Sequence, residues 1–462
     1  MAKKGKTVFV CQECGYESPK WQGQCICGKW NTMVEEKVLP LDGEDKRRRT
    51  GAKDGARSKA QILAKVSGGE GRPRLDTGIG ELNRVLGGGL VQGSLTLISG
   101  EPGIGKSTII MQAAANIASR YGKVLYVSGE ESEEQIKLRA DRICQQLSEN
   151  LLILAETNME NIAAVAQEVS PEFVIIDSIQ TMYTQSIDSA PGSVSQVRAC
   201  GNELMHMGKV SNIPIFIVAH VTKSGELAGP KIVEHLVDCV LHFTGERNEE
   251  LRILRSFKNR FGTTSEIGAF EMEEKGLLEI QDLSNRFLAQ SEDGTEGSMI
   301  TAVYEGTRPL LLEIQALVAP ANIGFARRTA IGVEQGRLSM ILAVLEKKAG
   351  LSLINQDVYV NVVGGLKPEG TSTDLAVALA IHSTFREKIC DPGVLALGEI
   401  GLTGELRNVQ NAEKIVKEAI RMGFKKIILP KAQKEKLAPL GEKINLIGVK
   451  HIREAITAYS GR

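Results

Sequence analysis

Aromatic residues are scarce in this chain of 462 residues: Phe, Trp and Tyr make up 4%, and tryptophan occurs twice. That scarcity argues against a base-stacking platform spread over the whole molecule. Neither sign of charge is in excess, because Lys+Arg and Asp+Glu are both 56 and the formal net charge is zero. Any surface that binds a polyanion is therefore a local patch. No apolar run is long enough to cross a bilayer. The N-terminus, MAKKGKTVFV, starts basic but has neither a sustained apolar core nor a small-residue cleavage site. Secretion is not expected, and the cytoplasm is the default compartment. No short internal repeat is visible.

What is present is globular. Hydrophobic residues make up 42% and charged residues 24%, a balance that supports large cores, and the length suits two or three domains. Composition shifts predict four stretches: a Cys-, Gly- and Trp-rich module over 1–35, a flexible linker over 36–65, an α/β domain over 66–287 and a second α/β unit over 288–462. The linker includes LDGEDKRRRTGAKDGARSK, which mixes charge with small residues and lacks apolar periodicity. The joint near 288 lies in SNRFLAQSEDGTEGS. Within 66–287 the apolar runs SLTLIS, KVLYVS, LLILA, EFVIID and IPIFIVAH alternate with amphipathic stretches. Ser132 with Gln135, and Ser193 with Gln196, fit capping boxes that start helices. Continuous apolar runs between helices indicate a parallel sheet covered on both faces. The second unit contains VYVNVVGG, an Ala-rich helix over 374–385 and GFKKIILP.

The eight cysteines are unevenly placed, with Cys11, Cys14, Cys25 and Cys27 close together and the others scattered. In a reducing compartment the cluster suggests a metal and the scattered residues suggest core thiols. Cys11-Gln-Glu-Cys14-Gly and Cys25-Ile-Cys27-Gly each bracket a turn with two thiolates. Four thiolates suit a closed, tetrahedral, structural Zn²⁺ site. Trp21 and Trp30 either pack on this small module or meet a partner or DNA.

Gly100, Glu101, Pro102, Gly103, Ile104, Gly105, Lys106 and Ser107 match the phosphate-loop pattern G-x-x-x-x-G-K-[ST]. The match follows a predicted strand, and Thr108 continues into a predicted helix, which is the context the motif requires. Glycines let backbone N–H groups turn toward phosphates, and the helix N-terminus adds partial positive charge. Lys106 is expected on the β- and γ-phosphates of a nucleotide and Ser107 on Mg²⁺. Asp177 ends EFVIID, at the sheet edge where ligands bind, and is expected to orient Mg²⁺. Glu130 and Glu131 follow another strand. Glu130 is the candidate base that polarises the attacking water; the alternative is that both acids only open the next helix. His220 ends IPIFIVAH, where it either senses the γ-phosphate or is structural.

Together these residues resemble the RecA-type ATPase core, and more closely the RadA (Sms) family of bacterial DNA-repair proteins. The likeness is carried by the cysteine module, LDTGIGELNRVLGGGLVQGSLTLISGEPGIGKST, VLYVSGEES, VAHVTKSGELAGPKIVEHLVDCVL and, most specifically, Lys258-Asn259-Arg260-Phe261-Gly262. The resemblance implies a DNA-dependent ATPase of homologous recombination and repair. It implies hexameric rings on single-stranded DNA that promote branch migration of branched intermediates alongside the RecA recombinase. ATP in such rings sits between subunits, so Lys258 and Arg260 either complete a neighbour's site or touch DNA phosphate. Thr222 and Lys223, in the Gly-rich stretch to Gly229, and Arg198 are candidate DNA contacts by the same likeness. The family pattern has two residues between the second pair of cysteines, and this chain has one.

Residues 300–462 resemble the proteolytic domain of Lon. Ser372 falls at or near the family's nucleophile, but Glu413 stands where the lysine of the Ser–Lys dyad belongs, with Lys414 displaced by one. On a helix that shift turns a side chain by about 100°, so a non-proteolytic scaffold is expected. Arg327, Arg328, Arg337, Lys347, Lys348, Lys425 and Lys426 suit double-stranded DNA binding, ring assembly or ordinary surface charge. Two other readings of the whole chain are an ATP-dependent Ser–Lys protease and a nucleotide-switched recombinase loader that does not translocate.

Overall fold

The computed structural model describes residues 6–11, 15–38, 74–144, 146–219, 230–245, 250–288, 295–321, 326–364, 367–368, 370–389, 391 and 393–460. Most of the expected linker lies outside these residues, as do Cys14, His220, Thr222 and Lys223. The chain divides into two compact units, Met1–Glu279 and Ile280–Arg462.

In the first unit, β1 (Lys6–Cys11), β2 (Glu17–Ser18) and β3 (Met33–Val38) form a small antiparallel ribbon. The main sheet contains β4 (Leu95–Gly100), β5 (Val124–Ser128), β6 (Leu151–Ala155), β7 (Phe173–Asp177), β9 (Ile215–Val218), β10 (Cys239–Thr244), β11 (Leu251–Asn259), β12 (Ile267–Glu273) and β13 (Gly276–Glu279). The short β8 (Ile187–Asp188) pairs with β3 instead. The order across the main sheet is β13-β12-β11-β10-β4-β9-β7-β5-β6. From β10 to β6 every pairing is parallel. The five runs read from sequence as strands are β4, β5, β6, β7 and β9; the sixth parallel strand, β10, was not among them. The extension β11–β13 is antiparallel and has no counterpart among those runs.

Both faces of the parallel part are covered, which is why its strands do not alternate apolar with polar. Ile98, Tyr126, Ile175 and Phe216 enter one buried cluster, while their neighbours Leu97, Leu125, Val174 and Ile217 enter the other. Each fully buried large side chain contributes about 1.5–3 kcal/mol. β6, at the sheet edge, stays half-exposed despite its LLILA sequence.

The helix Lys106–Arg120 follows β4 and buries a broad face that includes Ile109, Ile110, Met111, Ala113, Ala114, Ile117 and Ala118. Ser132 caps the helix Glu133–Ile143 in a complete capping box with Gln135. Ser193 accepts from Gln196 N, but that box is not reciprocal. The Gln196 side chain is buried and donates to the carbonyls of Thr184, Ile187 and Ser189. Satisfying that buried loop outweighs closing the cap.

The second unit holds β14 (Ser298–Glu305), β15 (Arg308–Pro320), β16 (Arg328–Ile331), β17 (Gln356–Val362), β18 (Val394–Ala396), β21 (Lys426–Pro430) and β22 (Asn445–Val449) in the order β16-β17-β15-β14-β18-β21-β22. β19 (Glu399–Ile400) and β20 (Leu406–Arg407) form a separate pair. The helix Asp374–Phe385 is buried along nearly its whole length, which its run of Leu, Ala, Val and Ile permits.

Candidate nucleotide site, its distal turn and the cysteine knuckle

The loop between β4 and the helix Lys106–Arg120 places 100–108 at the C-terminal edge of the parallel sheet. Gly105 has φ 114°, and a Cβ there would meet Met272 Cε at 2.7 Å. Glycine is therefore the residue that this backbone conformation and close approach permit at the start of the helix. Lys106 is 3% exposed, and its Nζ donates to Gly100 O at 2.8 Å and Glu101 O at 2.9 Å. Burial pushes its amine down to about 8, against the opposing charges of Asp177 and Glu130. A buried cation held by two carbonyls of its own loop, at the N-terminus of a helix, fits a phosphate ligand.

Two neighbouring strand ends supply the acids. Ser128 of β5 and Asp177 of β7 are register partners. Asp177 is 9% exposed, and Tyr126 O–H donates to its Oδ2 at 2.5 Å. Burial, then the charge of Asp177, raises the Tyr126 phenol well above its usual range. Ser178 O–H donates to Glu130 Oε1. The next acid, Glu131, is turned away into an ion pair with Arg139 at 2.6 Å. The helix itself begins at Glu133, behind the Ser132 cap, so neither acid lies in its first turn. Tyr126, Arg139 and Ser178 were not singled out from sequence. The available signal was a phenol inside a wholly buried strand, because a buried O–H needs a partner.

Nucleotide binding at this loop should draw a proton onto Lys106. At pH 8 the uptake should approach about half a proton per chain, read by calorimetry in two buffers of different ionisation enthalpy. Without nucleotide the folded chain binds fewer protons than the unfolded one between about 8 and 10.5. The contribution of Lys106 to stability should therefore rise with pH across that window.

Lys258 and Arg260 lie elsewhere. β11 runs antiparallel to β10, and its end, Asn259, pairs with Cys239 at the start of β10. Cys239 in turn pairs with Thr96, near the start of β4, whereas the loop begins after Gly100 at its end. The turn 258–262 thus sits at the opposite edge of the sheet, roughly 13 Å along β4 from the chain's own phosphate loop. Lys258 Nζ donates to Glu234 O at 2.7 Å. Burial, then the charge of Arg260, lowers its amine from the usual lysine value. Asn259 donates to Val85 O at 3.2 Å, and Arg74 donates to Phe261 O at 2.7 Å. Gly262 packs against the backbone of Gly87.

Cys11, Cys25 and Cys27 bring their sulfurs within 4.8 Å of one another. Cys11 and Cys27 are 3.9 Å apart, close to the about 3.8 Å edge of a tetrahedron with 2.3 Å Zn–S bonds. The two turns differ by one residue, and so do their hydrogen bonds. Gly15 N donates to Cys11 O at 2.9 Å, while Gly28 N donates to Cys25 O at 2.9 Å. Both glycines adopt positive φ, 71° and 85°. The shorter pair is accommodated by a tighter turn, so the donor set suits a thiophilic metal. Arg198 lines a groove with Gly15, Tyr16, Ile26 and Cys27, and its Nη1 lies 3.5 Å from Gly15 O. Trp21 and Trp30 are 56% and 68% exposed.

In the second unit Ser372 Oγ donates to Ala302 O at 3.5 Å. Lys414 Nζ donates to Tyr304 O–H at 2.5 Å and sits over its ring. Glu413 pairs with Lys417 at 2.6 Å on the surface. Among the described residues no hydrogen bond joins Ser372 to either candidate partner; its hydroxyl is directed at the Ala302 carbonyl. Arg337 binds the buried Asp374 and Ile400 O, so its charge is neutralised internally.

These features define a P-loop nucleotide-binding protein of AAA type, with a zinc-ribbon module before the loop domain and a ChlI- and Lon-like unit after it. Family models agree: one described as an AAA domain matches residues 70–226, one described as subunit ChlI of Mg-chelatase matches 323–433, and one described as a rubredoxin metal binding domain matches 9–35. The chain is 49% identical to a protein named DNA repair protein RadA from Bacillus subtilis (strain 168), covering 99% of each chain. It is 49% identical to the protein of that name from Halalkalibacterium halodurans over 100% of each, and 48% identical to that of Listeria monocytogenes over 99% of each. The chain belongs to the RadA family.

Proposed function

We propose that this chain is a DNA-dependent ATPase of homologous recombination and repair that works as a ring, hexameric by family likeness, on single-stranded and branched DNA. Hydrolysis would drive branch migration alongside the RecA recombinase. The observation that carries the reading is Lys106, buried and held on its own loop beside two acids at adjacent strand ends. The names of the relatives matched along their full length support the DNA-repair setting.

The residues divide the work. Loop amides and Lys106 hold the triphosphate. Ser107 and Asp177 would hold Mg²⁺, which when bound spreads the phosphate charge. Tyr126 fixes one Asp177 oxygen. Glu130, oriented by the Ser178 hydroxyl, accepts a proton from the attacking water. His220 is kept as the candidate γ-phosphate sensor. Lys258 and Arg260 serve the triphosphate of a neighbouring subunit, a reading supported by their place at the sheet edge remote from their own loop. Thr222, Lys223 and Arg198 are the candidate DNA contacts. The cysteine set holds Zn²⁺ as a structural ion, and the second unit is a non-proteolytic scaffold, with Lys414 engaged by Tyr304.

Single-stranded DNA should stimulate steady-state ATP hydrolysis by the full chain about tenfold or more, with stimulation falling as salt displaces phosphate contacts. A rate indifferent to DNA at low salt would remove the motor reading.

A further inference from the structure

The strand that ends in the phosphate loop is held at its other end by one buried carboxylate. Asp238 immediately precedes β10 and is 3% exposed. Its Oδ2 accepts from Leu95 N at 3.1 Å and from Lys209 Nζ at 3.0 Å. Its Oδ1 accepts from Arg260 Nη1 at 3.3 Å. Its own N–H donates to Leu95 O at 2.9 Å, and its carbonyl accepts from Arg260 N at 3.0 Å. Groups from the first residue of β4, the end of the helix Val194–Ser211 and the turn after β11 thus converge on one residue.

An ionised carboxylate buried this deeply is costly unless its lone pairs are met. A plain ion-pair staple would match it with one cation. Here Lys209 and Arg260 share one carboxylate, and both heads are half-exposed. Lys258, two residues before Arg260, rests on the carbonyls of Glu234 and His235, at the end of the helix Pro230–Leu236. The cluster therefore presents more positive charge than it neutralises. Arg260 places one side-chain nitrogen on Asp238 while its side chain stays 59% exposed, and a guanidinium has further donors suited to phosphate.

We propose that Asp238 is a positioning residue: it holds Arg260, and through the turn Lys258, in the orientation in which one subunit presents them to a triphosphate on the next subunit's loop. This rests on the neighbour-subunit reading of the turn given above. Asp238 touches neither substrate nor reacting atoms. It clamps the turn to the strand whose far end carries the chain's own loop, so the two half-sites of one subunit are held at a fixed separation.

Mixing full-length subunits tests this. Asp238→Asn keeps the size and an acceptor for Leu95 N but removes the charge that holds Arg260. Alone it should lose about tenfold or more in ATP turnover. Mixed with Lys106→Ala subunits, which are inactive but have an intact turn, it should regain activity. Random head-to-tail assembly gives about one complete junction in four. Damage to the subunit's own loop would not be rescued this way. Arg260→Ala mixed with Lys106→Ala is the reference. Rescue of Arg260→Ala without rescue of Asp238→Asn overturns the role of Asp238 and leaves the neighbour-subunit reading standing. Rescue of neither overturns that reading, and a wild-type rate for Asp238→Asn alone overturns the proposal. Where Asp238→Asn does not fold, Asp238→Glu replaces it, since its longer arm displaces Arg260 with the charge kept.

Discussion

Lys106→Ala is expected to bring ATP turnover down to background, a loss of about 10²–10³-fold or more. The size follows from geometry. Lys106 is the buried cation of the loop, and both of its hydrogen bonds go to the loop's own carbonyls, Gly100 and Glu101. When phosphate replaces those carbonyls, the ammonium is already desolvated and positioned, and its charge acts in a low-dielectric setting. Alanine cannot supply it, and no other lysine or arginine lies between Arg84 and Arg120. The fold should survive, since the helix Lys106–Arg120 is packed by Ile109, Ile110, Ala114 and Ile117. Phosphate release measured beside a thermal melt separates the two effects. A variant that keeps more than about a tenth of the wild-type rate would show that the loop is not the engine.

If the cysteine set holds zinc as proposed, Cys11→Ser is expected to abolish that binding and to unfold the ribbon β1–β3 while the α/β core stays intact. Among the described residues the apolar cluster of this module is Cys11, Cys25 and Met33, with Phe9 and Tyr16 packed against it. That is far too little burial to fold a ribbon of this length unaided. Metal binding of about 10–16 kcal/mol supplies the difference in modules of this kind. Elemental analysis should find one zinc per wild-type chain and none in the variant, and limited proteolysis should cut the variant within the module. Full zinc occupancy with unchanged protease resistance in Cys11→Ser would contradict the assignment. Thr32, whose hydroxyl lies 3.1 Å from Cys11 Sγ, should give a milder loss when replaced by valine.

Much of the nucleotide site was legible because its signals are local. A phosphate loop needs glycine, lysine and serine at fixed spacing, and an acid that ends a buried apolar run stands out. Five of the six parallel strands were legible for the same reason, since burial on both faces forces continuous apolar runs; β10, CVLHFT, was not, because His242 and Thr244 interrupt its apolar run. Strands β11–β13 were not, because LRILRSFKN and IGAFEME mix polar with apolar residues, as expected of an antiparallel extension. Gln196 misled the capping assignment because its partners at 184–189 are a tertiary matter. Tyr126 and Asp238 stayed unmarked for a related reason. Each is one polar group in an apolar stretch, and its meaning comes from residues 51 and 143 positions away. The second unit reads well at the helix 374–385. The contact of Lys414 with Tyr304, 110 residues earlier, could not be read from spacing.

The opposed placement of the loop and the cationic turn, one at each edge of a single sheet, constrains any assembly that brings them together. Each copy would offer a socket on one side and a plug on the other, so contacts are polar and direction is inherited from copy to copy. Such a chain of contacts closes or spirals according to the rotation per step alone. The number of members is then an angle, tunable by small changes at the junction, without altering a single residue of either half-site.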